Sequence, residues 1–117
     1  MVLRDTRRMV DRAFPVVYAS NVVQTAALYE AIGFERFMQM PPEGEPGYLA
    51  LRRGSVELAV VDQQWPQDQF GQPLGNGPRF EMYVYVDDVD EALERLQAAG
   101  ATVMRAAEDM PWGARVG

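Results

Sequence analysis

The residue types that usually carry out catalysis are largely missing from this chain. Its 117 residues contain no histidine, no cysteine and no lysine. Histidine is the usual general base near neutral pH and the commonest metal ligand, so serine–histidine–aspartate triads and histidine-held zinc, iron or copper centres are excluded. The lack of cysteine and lysine excludes thiol nucleophiles, disulfides and Schiff bases. Carboxylates, tyrosine, serine, threonine and arginine remain, and this set favours binding over catalysis.

The charge balance limits the partners of the chain. Eleven basic residues, all arginine, stand against seventeen acidic ones, which gives a net charge of −6. Such a chain repels polyanions on average, so we expect no nucleic-acid partner. It has no apolar stretch near the ~18 residues that a membrane span needs, and Met1–Arg12 lacks the apolar core of a signal peptide. We therefore expect a cytoplasmic protein with no membrane partner.

Two segments of the sequence repeat the same helix signals. Asn21 and Asp88 are good N-cap residues, and Gly33 and Gly100 are good helix stops that follow them by 12 residues each. With an offset of 67, the apolar run around Val17 also aligns with the run before Asp88. The matched spacing predicts two strand–helix units and indicates an internal duplication.

The remaining elements are predicted from the alternation of apolar and polar residues and from turn residues. The Gln-, Pro- and Gly-rich residues 63–78 have no periodicity and are predicted to form a linker or lid loop. We expect a single α+β domain over 1–117, with one module at about 14–62 and another at about 79–117. The predicted strands are Phe14–Ser20, Phe34–Met40, Tyr48–Arg53, Val56–Asp62 and Glu81–Val86.

Alternation along these strands divides their side chains between two faces. One face is aliphatic and is expected to pack on the helices. The other is rich in rings and carboxylates, which is typical of a cavity with aromatic walls and a few polar anchors. A second hydrophobic layer and a dimer interface are the alternatives. The aliphatic face carries Val17, Ala19, Val56, Leu58, Val60, Met82, Val84 and Val86, and the other carries Phe14, Val16, Tyr18, Glu57, Ala59, Glu81, Tyr83 and Tyr85.

The order of several short motifs resembles that of a known superfamily. The motifs are Tyr-x-Ser-Asn at 18–21, Leu-Tyr-Glu-x-x-Gly-Phe at 28–34, the segments 47–51 and 54–58, Val-Asp-Asp-Val-Asp at 86–90 with Ala-Gly-Ala at 99–101, and Pro-Trp-Gly at 111–113. Together they resemble the vicinal oxygen chelate superfamily, which includes glyoxalases, bleomycin-resistance proteins and extradiol dioxygenases, and Pro-Trp-Gly is typical of the bleomycin-resistance-like branch. The resemblance implies paired βαβββ modules.

The resemblance also allows the metal-ligand positions of the superfamily's enzymes to be assigned to residues of this chain. Their first-strand histidine corresponds to Phe14, which cannot bind a metal. The next two ligand positions correspond to Glu57 and Glu81, and the last lies on a final strand that we expect beyond Gly117. Two carboxylates without imidazole are a poor transition-metal site, so we expect no metal and no cofactor. Glu57 could instead pair with an arginine such as Arg52, or with a tyrosine hydroxyl.

Two functions are compatible with these residues. The first, which the sequence favours, is a binding protein of the bleomycin-resistance type that sequesters an aromatic or cationic small molecule without catalytic residues. The resemblance implies a homodimer whose cavity lies between modules of the two chains. The alternative is a divergent lyase, isomerase or dioxygenase that uses Glu57, Glu81 or residues beyond Gly117. The expected ligand-binding residues are Phe14, Tyr18, Glu57, Glu81, Tyr83, Tyr85 and Trp112.

Overall fold

A computed structural model describes residues 12–77 and 79–117 of the chain. It is a mixed α+β structure, which confirms the predicted fold class. The elements in chain order are β1 (Val16–Ala19), α1 (Val22–Glu30), β2 (Glu35–Met40), β3 (Tyr48–Arg53), β4 (Val56–Asp62), α2 (Trp65–Phe70), α3 (Val89–Ala98), β5 (Glu108–Asp109) and β6 (Arg115–Val116).

Both long helices begin and end where their caps predict. The Asn21 side-chain oxygen accepts a hydrogen bond of 3.0 Å from the Gln24 backbone N–H, and Asp88 does the same for Glu91, also at 3.0 Å. Each cap satisfies one of the N–H groups that the first helical turn leaves without a partner. Beyond the C-termini, Gly33 and Gly100 have φ values of +98° and +109°, a backbone region that side chains with a Cβ rarely adopt.

The first four strands form one sheet in the order β1-β4-β3-β2. The central pair β3–β4 is antiparallel, β2 adds antiparallel to β3, and β1 adds parallel to β4. A parallel neighbour cannot be reached through a tight turn, and here α1 and two strands lie between β1 and β4. The first βαβββ unit is thereby complete.

Helix α1 covers one face of this sheet. The core cluster contains Val22, Ala26 and Phe34 from the helix side, and Leu49, Leu51, Leu58 and Val60 of the sheet are at most 1% exposed. The exclusion of this apolar surface from water, at ~25 cal/mol per Å², is the main force that holds the unit together. On the strands of this unit, the face predicted to be aliphatic therefore does pack on α1, except that Val56 is exposed.

The prediction of a strand over Glu81–Val86 is wrong: residues 79–86 have no strand hydrogen bonding. The alternation of the segment is nevertheless preserved, because Met82 and Val84 pack against the α1 core. The Tyr85 carbonyl accepts a hydrogen bond of 2.7 Å from Arg53 Nη1 of β3. The segment thus lies along the first unit as an extension of its core, without ladder pairing.

The predicted loop over 63–78 contains a short helix, α2. Pro66 lies in its first turn, where the missing N–H of proline costs no hydrogen bond. Gly71 ends the helix in the left-handed region at φ +68°. The rest of this segment, as far as the structure describes it, has no regular structure.

A two-stranded hairpin of β5 and β6 follows α3 and turns at the Pro-Trp-Gly motif. Arg115 of β6 donates to both carboxylate oxygens of Asp90 on α3, at 2.9 and 3.1 Å, and to Asp109 of β5 at 3.1 Å. These contacts attach the hairpin to the helix. Within residues 12–77 and 79–117, no helix is long and apolar enough to cross a bilayer.

Candidate functional site

The face of the sheet that points away from α1 is the open face, and it carries the sequence-predicted site residues of the first unit. The strand registers place Val16 beside Ala59, and Tyr18 beside Val61. Val61 also pairs with Tyr48 on its other side, so this valine lies between two tyrosines. Ala59 and Val61 are fully buried, whereas Tyr18 is half-buried.

Glu57 at the edge of the open face is held by an arginine. Arg12 Nε donates to Glu57 Oε2 and Arg12 Nη2 to Oε1, both at 2.7 Å. The same guanidinium lies over the Phe14 ring, 5.0 Å from its centroid. The structure therefore brings Phe14 and Glu57 together through Arg12. Arg52, the partner considered from the sequence, lies over Phe37 at 5.1 Å.

Tyr48 and Trp65 form an aromatic contact beside this pair. Their ring centroids are 6.0 Å apart with an interplanar angle of 46°. Burial raises the pKa of the Tyr48 hydroxyl; the Arg12 guanidinium opposes that rise and the Glu57 carboxylate adds to it. The hydroxyl therefore stays protonated at neutral pH and can donate a hydrogen bond.

A cavity of about 340 Å³ lies between β1 and the chain segment that contains Arg79 and Phe80. Val16 and Tyr18 line it from the open face, and Gly77, Arg79 and Phe80 line it from the other side. Its volume is near the lower end of the ~300–1,000 Å³ range typical of ligand pockets. Two rings and an aliphatic side chain make its wall mainly apolar.

A second cavity of about 320 Å³ lies on the other side of the molecule, between the end of α1 and the start of α3. Arg53, Asp87, Asp88, Glu91 and Arg95 line it, together with small residues. Four of these five charged groups are already engaged: Arg95 pairs with Glu91, Arg53 binds the Tyr85 carbonyl, and Asp88 caps α3. It carries none of the site residues predicted from the sequence.

Of the predicted site residues, Tyr18 lines the first cavity, whereas Phe14 and Glu57 lie on the same face outside the lining of both cavities. The remaining four are exposed and line neither cavity. Tyr83 and Tyr85 are 76% and 90% exposed, and Trp112 in the β5–β6 turn is 73% exposed. Glu81 is also exposed. Within the described part of one chain, these four residues are not brought together with Phe14, Tyr18 and Glu57.

The sequence interpretation missed Arg12, Arg79 and Phe80. Arg12 could have been found, because the two-residue spacing that runs through Phe14 and Tyr18 extends back to it and places it on the same face. Arg79 and Phe80 line the cavity because the backbone after α2 returns to β1. No local sequence pattern predicts this path of the backbone.

The family model of the glyoxalase/bleomycin resistance protein/dioxygenase superfamily matches residues 13–117. The chain belongs to this superfamily. The match covers both predicted modules and agrees with the resemblance drawn from the short motifs. A comparison with curated protein sequences found no match.

Several solved structures share the fold. A hypothetical protein from S. aureus has a TM-score of 0.71 at 16% identity, over 90% of this chain and 81% of that one. The bleomycin resistance determinant encoded on transposon Tn5 has a TM-score of 0.56 at 22% identity, over 91% and 84%. Lactoylglutathione lyase from Agrobacterium tumefaciens has a TM-score of 0.59 at 20% identity, over 92% and 84%. At these identities the likeness establishes the fold alone.

The residues at the superfamily's metal-ligand positions do not fit a metal ion. Phe14 offers no donor atom, and both oxygens of Glu57 already accept hydrogen bonds from Arg12. Glu81 is exposed, away from Glu57. Among the described residues, no group of three histidine, cysteine, aspartate or glutamate side chains is placed to hold a metal ion.

Proposed function

We propose that this protein is a small-molecule binding protein of the bleomycin-resistance type, which sequesters a flat aromatic ligand without a metal. The observation that carries the proposal is the cavity of about 340 Å³ with Tyr18, Phe80 and Val16 in its wall. Rings bind flat molecules by offset stacking or edge-to-face contact, and such binding needs no catalytic base. The lack of histidine, cysteine and lysine agrees with it.

An aromatic ligand is favoured over a purely cationic one because the expected anionic anchors are not available in the cavity. The charge of Glu57 is compensated by Arg12 through two hydrogen bonds. Glu81 is absent from the residues that line the cavity. The Arg12 contact also weighs against Glu57 as a general base, since a carboxylate that accepts two charge-assisted hydrogen bonds is a poor proton acceptor.

The proposal includes a homodimer. Tyr83, Tyr85 and Trp112 are large aromatic residues exposed to solvent, and such exposed apolar surface is typical of an interaction site. Helix α3 supports the same view, because it is amphipathic in sequence and none of its residues is buried. A second copy would cover these rings, and closed twofold dimers are the commonest oligomers. The aromatic set from a second chain would then extend the cavity wall around Tyr18.

The proposal is tested by filling the cavity. Val16→Trp places an indole in the cavity, and we expect it to abolish binding of 1-naphthylmethanol measured by calorimetry. Val23→Trp is the matched control, because Val16 and Val23 are 38% and 39% exposed and Val23 lies on α1 outside the cavity. If the naphthyl alcohol does not bind the wild-type protein, or binds both variants equally, the proposed function is wrong.

A further inference from the structure

Arg79 differs from the other arginines of the described chain. Arg36, Arg95, Arg105 and Arg115 pair with carboxylates. Arg12 and Arg53 donate to Glu57 and to a backbone carbonyl, and Arg52 lies over a ring. Within residues 12–77 and 79–117, Arg79 has no carboxylate within 4 Å and no hydrogen-bond acceptor. It lines the cavity beside Tyr18 and Phe80.

Among the described residues that line the cavity, Arg79 is the one charged residue, and it is cationic. The other described lining residues are Val16, Tyr18, Gly77 and Phe80, none of which carries a carboxylate. A cationic ligand would meet a like charge with no anion to compensate it. An anionic ligand would meet a guanidinium whose donors are not already used, and the planar fork of a guanidinium matches a carboxylate with two parallel hydrogen bonds.

The overall charge of the molecule acts against an anion, but only weakly at this site. The net charge of −6 is distributed over the chain. Exposed charges farther than ~8–10 Å are largely screened at physiological ionic strength, whereas a carboxylate bound to Arg79, which is exposed in the free protein, would lie well within that distance. Glu57, a carboxylate on the open face, forms an ion pair with Arg12. The local contact with Arg79 therefore decides which charge the cavity accepts.

We propose that the ligand of this cavity is an aromatic carboxylate, whose ring lies between Tyr18 and Phe80 and whose carboxylate pairs with Arg79. This inference rests on the proposed binding function and specifies its ligand class. It assigns Arg79 as the residue that selects ligands by charge, while the rings supply affinity that does not depend on charge.

Three probes with one ring system and different charges test the inference. They are 1-naphthoate, 1-naphthylmethanol and 1-naphthylmethylammonium, each titrated into wild-type protein by calorimetry at low salt. We expect 1-naphthoate to bind about tenfold more tightly than the alcohol, since one charge-assisted pair gives a gain of that order. The ammonium compound should bind more weakly than the alcohol.

Variants separate the role of Arg79 from general charge effects. Arg79→Gln should remove the preference for 1-naphthoate and leave binding of the alcohol within about twofold, since the rings remain. Arg36→Gln makes the same change in net charge outside the cavity and should keep the preference. Arg79→Lys keeps the positive charge but loses the planar guanidinium fork, so this variant should retain part of the preference for 1-naphthoate.

The outcomes distinguish the inference from the function on which it rests. If the alcohol binds but 1-naphthoate binds no more tightly, or if Arg79→Gln keeps the preference, the inference is wrong and the binding function stands. If 1-naphthylmethanol does not bind the wild-type protein, the proposed function is wrong, and the inference that rests on it is wrong too. A preference lost equally in Arg79→Gln and Arg36→Gln would show a long-range charge effect and would also overturn the assignment of Arg79.

Discussion

The Arg12 guanidinium and the Glu57 carboxylate face each other with two hydrogen bonds of 2.7 Å. Both side chains are mostly shielded from water, at 29% and 20% exposure. Arg12 thus contacts two of the site residues predicted from the sequence, Phe14 and Glu57. Its guanidinium compensates the charge of the Glu57 carboxylate. The Glu57 carboxylate therefore adds no uncompensated charge to the open face.

The first prediction concerns the strength of this pair. Arg12→Ala and Glu57→Ala should each lower the free energy of unfolding by about 1–3 kcal/mol, because each removes the two charge-assisted hydrogen bonds that join these partly buried side chains. The double variant should lose less than the sum of the two. Urea denaturation of the wild type, the two single variants and the double variant gives the coupling energy between Arg12 and Glu57.

The exposed pair Arg36–Glu30, at 37% and 36% exposure, is the control and should couple by less than about 1 kcal/mol. Equal coupling in the two pairs would contradict the prediction.

The second prediction concerns acid. The hydrogen bond from Arg115 holds the pKa of Asp90 below its ordinary value. A carboxyl whose pKa is lowered by folding contributes stability above its unfolded pKa, and this contribution is lost as the pH falls through the folded pKa. The β5–β6 hairpin should therefore loosen from α3 below about pH 4. Amide shifts of residues 115–116, followed by NMR from pH 7 to pH 2, should report this step. Asp90→Asn should remove the step, and an unchanged titration in that variant would refute the assignment.

The third prediction is the oligomeric state. Size-exclusion chromatography with light scattering should give about twice the chain mass of 13.1 kDa. The double change Tyr83→Ser with Tyr85→Ser should shift the protein toward monomer, because these rings are the exposed apolar surface that a second copy would cover. Met104→Ser is the matched control, since Met104 is 89% exposed and Tyr85 is 90% exposed. A wild-type monomer at micromolar concentration would refute the dimer.

The fourth prediction links the dimer to the ligand. If the second chain completes the cavity, Tyr83→Ala and Trp112→Ala should each weaken binding of 1-naphthylmethanol by about 1–3 kcal/mol, the scale for losing a stacking ring. Phe70→Ala, which removes a ring that is 52% exposed and was not predicted to bind ligand, should have no effect. Binding that is unaltered in both Tyr83→Ala and Trp112→Ala would mean that the cavity is formed within one chain.

Local signals in the sequence predicted much of the first unit correctly. The bounds of β3 and β4 are those predicted, and the caps at Asn21 and Asp88 form the expected hydrogen bonds. These features depend on residues a few positions apart, whose spacing fixes helix caps and strand faces. The alternation at Met82 and Val84 also predicted which side chains contact the core.

Features that depend on distant partners could not be predicted in this way. Alternation fixes the face of a side chain, but a strand also needs a neighbouring backbone, and the segment around Met82 has no ladder partner. Helix α2 was missed because proline and glutamine were read as loop signals, although proline is tolerated in a first helical turn. The cavity wall at Arg79 and Phe80 depends on tertiary packing across more than 60 residues of chain from Val16.

The proposed function requires that an aromatic ligand occupies the cavity between β1 and residues 77–80. Titration of 15N-labelled protein with 1-naphthylmethanol tests it directly, because ring currents shift the amides nearest the bound ring. A ligand in this cavity should cause saturable amide shifts at Val16, Tyr18, Gly77 and Phe80, which line it. Saturable shifts confined to Ala31–Gly33 and Asp88, beside the second cavity of about 320 Å³, would contradict it, as would the absence of any saturable shift.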